Sequence, residues 1–158
     1  MNNLTVLVAE DNEDDVFLLK RALNKQDIKA QFQTVGDGEE AMAYLRAKGA
    51  YCDRGRFPFP ALLLLDIKMP RKSGLEVLAE IRHDPDPILA RLPVVVFSSS
   101  AEPLDINEAY DHHVNSYLVK SGDYRVLDQL MQRLEEYWLT LNTGPLCPEY
   151  ETVPRKWG

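Results

Sequence analysis

With 158 residues, the chain has room for one domain with a sizeable core and little beyond it. Its hydrophobic fraction of 45% and charged fraction of 27% are those of an ordinary water-soluble protein, and no apolar run approaches the roughly 20 residues that a membrane helix needs. The 18 basic and 25 acidic side chains leave a net charge of −7, which argues against direct binding to nucleic acid, because most such affinity comes from neutralising phosphates; proteins are the expected partners.

The opening MNNLTVLVAEDNEDD reaches acidic residues by position 10 with neither a basic leader nor a small-residue cleavage site, so a cytoplasmic location is expected. Residues 4–9 form an apolar, β-branched run that stops at Glu10 and Asp11, the pattern of a buried strand meeting a polar edge. Residues 13–26 carry Val16, Leu19 and Leu23 at helical spacing, with acids at the front and Lys20, Arg21 and Lys25 behind, which suits the helix macrodipole. The alternation continues with strands at 30–35, 61–65, 93–97 and 116–119, and helices at 39–46, 74–82, 105–111 and 124–141. Residues 61–65 and 94–97 are apolar at nearly every position, as strands covered on both faces must be. The fold class this predicts is α/β, a doubly wound five-stranded parallel sheet with five helices.

Residues 48–60 and 83–92, punctuated by Gly and Pro, read as surface loops. In the last helix Leu127, Leu130, Leu134, Tyr137, Trp138 and Leu141 recur at spacings of three and four, mostly as core. Residues 1–142 are expected to form the domain, and 143–158 a Pro-containing tail with no separate output domain. Cys52 and Cys147 have no metal-ligand companions and read as unpaired thiols. His83, His112 and His113 share no ligand spacing with other donors, which predicts surface or loop roles.

In an open parallel sheet, ligands bind beyond the carboxyl ends of the strands. Glu10 and Asp11 follow the first strand, Asp66 the third, Ser98 the fourth and Lys120 the fifth, so residues distant in sequence should meet at one edge. Acids after a strand are commonly plain helix caps, and a strand-end Lys or a Ser run is commonly solvated; the joint arrangement is what points to chemistry. Carboxylates held about 4 Å apart repel by roughly 4 kcal/mol per pair at an effective dielectric near 20, so they call for a cation. Mg2+ suits an all-oxygen set: Asp11, Asp66 and the backbone carbonyl of Lys68, with Glu10 acting through a water. Lys120 and the Ser98 hydroxyl could then neutralise an incoming phosphoryl group, which leaves Asp66 as the nucleophile.

These residues resemble the response-regulator receiver family, the phosphorylated partners of sensor histidine kinases. The resemblance spans about residues 4–141 and rests on VLVAEDN at 6–12, LLLLDIKMPRKSG at 62–74, LPVVVFSSSAE at 92–102 and NSYLVKS at 115–121. It implies that Asp66 is the phospho-acceptor, Glu10 and Asp11 the acid pair, Lys120 and Ser98 the groups that stabilise the phosphoryl, and Ser98 with Tyr117 the switch. Whole-segment similarity in DNEDDVFLLKRAL, AYDHHVNSYLVKS and EYWLTLNTGP further resembles the small regulators of cyanobacterial and bacterial phytochromes, which implies a red-light-sensing kinase upstream.

Three positions depart from the family pattern. Ser121 follows the lysine where the family usually has a proline that is often cis, Ser98 replaces the commoner threonine, and Lys68 and Ser100 occupy the positions that tune phosphoryl lifetime. Neither Lys68 nor Ser100 is a water-positioning carboxylate or amide, which predicts slow self-dephosphorylation. The expected function is a single-domain regulator that catalyses only its own phosphoryl acceptance and hydrolysis. Trp138, Tyr150 and Trp157 near the end predict a homodimer that covers this apolar surface. The alternatives are a receiver-like interaction module that is never phosphorylated, or a Mg2+-dependent aspartyl phosphatase, which would want an acidic proton donor where Lys68 stands. A flavodoxin-like cofactor binder would want a phosphate-cradling loop where this chain has acids.

Overall fold

Runs such as LLLL at 62–65 and VVVF at 94–97 have no polar face, so the strands they form need cover on both sides. The computed structural model, which describes residues 4–25 and 30–145, meets that need with one parallel sheet between two helical layers. Its strands are β1 (Leu4–Ala9), β2 (Ala30–Val35), β3 (Leu62–Leu65), β4 (Val94–Ser98) and β5 (Ser116–Val119). Their spatial order is β2-β1-β3-β4-β5. The helices are α1 (Glu13–Asn24), α2 (Gly38–Leu45), α3 (Gly74–Arg82), α4 (Pro87–Ala90), α5 (Pro103–Asp111) and α6 (Tyr124–Glu135), the last continued by a π-helical stretch, Glu136–Leu141.

Alternate side chains of each central strand enter opposite layers. Leu7, Ala9, Leu63, Leu65, Val94 and Val96 pack with residues of α2, α3 and α5, whereas Val6, Val8, Leu62, Leu64, Val95 and Phe97 pack with α1 and α6. The chain first steps outward from β1 to β2 and then crosses back to β3, so the carboxyl ends of β1 and β3 flank the point where the winding reverses. In this architecture that is where a ligand site belongs.

The predicted sheet and its five strands are all present, and the differences lie at element edges. A sixth, four-residue helix, α4, occupies part of the predicted loop 83–92: Asp86 caps it by accepting from the Ile88 amide, and Pro87 stands at its first position, where a missing N–H costs nothing. The same proline rule starts α5 at Pro103 and not at residue 105. Loop 48–60, expected to run over the surface, turns its aromatic side chains inward. Tyr51, Phe57 and Phe59 pack against the core, Tyr44 donates to the Pro58 carbonyl at 2.8 Å, and Arg54 donates to the carbonyls of Tyr44, Leu45 and Phe57.

The last helix also differs. A π turn holds one more residue than an α turn and rotates the following face, so Leu139 is buried while Tyr137 and Leu141, expected in the α-helical stripe, are exposed. Residues 146–158, with Cys147, Tyr150 and Trp157, lie outside the described residues, as does residue 26 at the predicted end of the first helix.

Candidate functional site

The acid pair is placed by the way α1 begins. Asn12 caps the helix by accepting from the amides of Asp14 and Asp15 at 3.0 and 3.1 Å, and its own amide donates to Glu10 Oε1 at 3.2 Å. One residue thereby fixes the strand-to-helix turn and points the first helical turn back at the strand end. Glu10 is buried and Asp11 exposed.

Asp66 follows β3 directly and is likewise buried. Its Oδ1 accepts from the Lys68 amide at 3.3 Å, while the Lys68 side chain is exposed. The loop beyond it is pinned by the start of α3, where Ser73 and Glu76 form a reciprocal capping box and the Gly74 amide donates to the Ile67 carbonyl at 2.8 Å. A side chain at position 74 would bring its Cβ within 2.0 Å of the Asp66 carbonyl oxygen, so only glycine allows helix and acceptor loop to come this close.

From the other side, Lys120 follows β5, its amide donating to the Ser98 carbonyl at 2.8 Å. Its ammonium lies 2.6 Å from Glu10 Oε2, 2.8 Å from Asp15 Oδ2 and 3.3 Å from Asp66 Oδ2, and 5.8 Å from the centre of the Phe97 ring. Ser98 is fully buried and its Oγ accepts from the Ser100 amide. Tyr117, half-buried on β5, donates its hydroxyl to the Ser100 carbonyl at 2.8 Å. Every residue expected at the site is thus at this end of the sheet. Asp15 was not anticipated; its acidic neighbours in the first helical turn gave it an ordinary explanation as a helix-dipole charge.

Electrostatics reflect the crowding. Burial pushes the Glu10 carboxyl from 4.5 up to about 7, with the Lys120 hydrogen bond opposing and the charge of Asp66 adding to the rise. For Lys120, burial pulls the ammonium down, but its hydrogen bonds to Asp15 and Glu10 and the charge of Asp66 outweigh that, so it is held well above its usual value and stays charged. Burial also raises the Tyr117 phenol.

Carboxylate oxygens of Glu10, Asp11 and Asp66 all lie within 4.8 Å of one another. This all-oxygen set fits a hard divalent cation, and it is the only such His, Cys or acid cluster among the described residues. The histidines take no part: His83 Nδ1 is 2.8 Å from the Ala79 carbonyl and His112 is 3.9 Å from Glu108. Cys52 is an exposed free thiol. There is no cis peptide among the described residues, so the Lys120–Ser121 bond is trans. Chemically, a buried carboxylate between a fixed ammonium and a cation-ready acid pair is equipped to attack an electrophile that arrives carrying negative charge.

Known proteins share this architecture. Residues 6–134 match the response regulator receiver domain. Over 140 residues the chain is 39% identical to response regulator Rcp1 of Synechocystis sp., covering 89% of this chain and 92% of that protein. Among solved structures, the phosphorylated cyanobacterial phytochrome response regulator RcpA superimposes with a TM-score of 0.84 at 43% identity, over 92% of this chain and 100% of that one. The Mn2+-bound form of Rcp1 does so with a TM-score of 0.81 at 38% identity, over 90% and 99%.

Proposed function

This chain belongs to the response-regulator receiver family, and we propose that it accepts a phosphoryl group on Asp66 from a sensor histidine kinase and signals through the change of surface that follows. The observation that carries this reading is the convergence on Asp66: one carboxylate oxygen faces the Lys120 ammonium, the other the Lys68 amide, and the Glu10 and Asp11 oxygens lie within 4.8 Å. In the step proposed, an Asp66 oxygen bonds to the phosphorus of a kinase phosphohistidine as the phosphorus–nitrogen bond breaks, and the departing imidazole nitrogen keeps the electron pair and takes up a proton. Lys120 neutralises one phosphoryl oxygen and the Ser98 hydroxyl donates to another. Mg2+, held by Asp11, Asp66 and the Lys68 carbonyl with Glu10 acting through a water, would supply further charge neutralisation. The protein turns over only its own phosphoryl group.

The switch follows from the bonds around Ser100. Its amide donates to Ser98 Oγ, its carbonyl accepts from Tyr117, and its hydroxyl lies 2.5 Å from Asp105 in the first turn of α5. Drawing Ser98 toward a phosphoryl oxygen would loosen this knot and free Tyr117 and α5 to repack, changing the face formed by α5, β5 and α6. Neither Lys68 nor Ser100 is a carboxylate or amide that would align an attacking water, which supports a slow return to the unphosphorylated state.

The likeness to RcpA supports a phytochrome-type kinase as phosphoryl donor. A net charge of −7 and the lack, among the described residues, of any helix long and apolar enough to cross a membrane support a cytoplasmic protein with protein partners. The exposed Tyr137 and Leu141, beside the half-buried Trp138, support a homodimer through the end of the chain; a monomer by light scattering at micromolar concentration, phosphorylated or not, would exclude it. Incubation with acetyl phosphate and Mg2+ tests the chemistry. Wild type should gain about 80 daltons by intact mass, Asp66→Asn should gain nothing, and the adduct should outlast the removal of donor by more than seconds. An adduct on Asp66→Asn, or none on wild type, rejects the reading.

A further inference from the structure

A lysine ammonium has three N–H donors, and in this structure three carboxylates take them: Glu10 at 2.6 Å, Asp15 at 2.8 Å and Asp66 at 3.3 Å. Two of these, Glu10 and Asp66, also belong to the cluster that fits a divalent cation. A cation in that cluster would repel the ammonium and draw on the same two carboxylates. Asp15 lies outside the cluster, so its hold on Lys120 is not shared with the cation. We propose that Asp15 is a positioning residue, the anchor that keeps the Lys120 ammonium beside Asp66 while a phosphoryl group is transferred. The inference rests on Asp66 being the acceptor.

A plainer reading makes Asp15 one more acid in the first turn of α1, offsetting the helix dipole. Glu13 and Asp14 share that turn, yet of the three only Asp15 reaches across 105 positions of sequence to Lys120. The Asn12 side chain accepts from the Asp15 amide, which fixes the turn that aims the carboxylate. The bonded Asp15 and Lys120 side chains line one small cleft together with Leu18, Phe97 and Leu127.

The initial rate of phosphoryl uptake from acetyl phosphate at saturating Mg2+, read by intact mass, tests the proposal. Asp15→Asn should slow uptake about tenfold, the lower end for a charge-assisted hydrogen bond, since the Asp15 side chain is 35% exposed. Asp15→Glu should recover most of the rate, and circular dichroism should find both variants folded. Because Asp15 acts through Lys120, Asp15→Asn should add no further slowing to Lys120→Met; where Lys120→Met leaves too little uptake to time, the recovery in Asp15→Glu decides. An Asp15→Asn protein as fast as wild type, or faster, overturns the proposal, as does equal slowing in the Lys120→Met background or no recovery in Asp15→Glu. These outcomes leave the acceptor reading standing, whereas uptake by Asp66→Asn, or none by wild type, removes both.

Discussion

Two buried glutamates, at opposite ends of the molecule, carry the same perturbation and have opposite surroundings. Burial pushes Glu10 and Glu135 alike from 4.5 up to about 7. Glu10 has the Lys120 ammonium at 2.6 Å and the Asn12 amide at 3.2 Å; neither carboxylate oxygen of Glu135 has a hydrogen-bond partner among the described residues. An unpaired buried carboxylate has one cheap state, the neutral one. Glu10, by contrast, has an ammonium and an amide as partners for its ionised form, and with two further acids beside it can share that charge with a cation. A shifted pKa therefore marks burial in both places, and only Glu10 stands in a cluster that fits a cation. What separates the two is the set of groups that face each carboxyl.

The largest expected effect is at Glu135, because nothing offsets its charge. Below about pH 4.5 the group is neutral in the folded and the unfolded chain and makes no difference to stability. As pH rises toward 7 the unfolded chain ionises while the folded one stays protonated, so stability falls, and above about 7 the loss is complete. A rise from 4.5 to about 7 corresponds to at most roughly 3.5 kcal/mol at about 1.4 kcal/mol per unit. Glu135→Gln should therefore be more stable than wild type at pH 8, by roughly 2–3 kcal/mol in urea unfolding, and no more stable at pH 4.5. The same offset at both pH values would mean that the substitution acts through packing beside the π-helical stretch and not through charge.

The contrast also shows which parts of this molecule can be read from its sequence. Strands such as 62–65 and 94–97 were legible because continuous apolar runs have few other uses, and Glu10, Asp11, Asp66, Ser98 and Lys120 because each stands at a strand end. Glu135 was not legible. It stands in an EEYW run that looks solvated, and its burial accompanies a change from α to π winding that leaves no local signal in the sequence. Asp15 was hidden for a related reason: an acid in the first turn of a helix is already accounted for, and only the approach of the chain after β5 shows that it has a second use. The aromatic lining of loop 48–60 likewise depends on Arg54 finding three carbonyls, a tertiary event. Periodicity reports what each element does for the core, and pairings across more than a hundred residues lie outside its reach.

A smaller effect, and the sharper test of the comparison, is the same substitution at Glu10. Glu10→Gln takes away one of the three partners of the Lys120 ammonium, a loss that offsets the relief of a buried charge, so it should gain less stability at pH 8 than Glu135→Gln. The loss should fall on the cation: if Glu10 supports a Mg2+ ion held by Asp11 and Asp66, as proposed above, Mg2+ binding measured by calorimetry should weaken about tenfold, as it does when a group supporting a metal's ligands is removed. Glu135→Gln should leave that affinity unchanged. If Glu10→Gln instead bound Mg2+ as tightly as wild type and gained as much stability at alkaline pH as Glu135→Gln, the two carboxyls would be the same kind of residue, merely buried, and the neighbours of Glu10 would have no part in holding a cation.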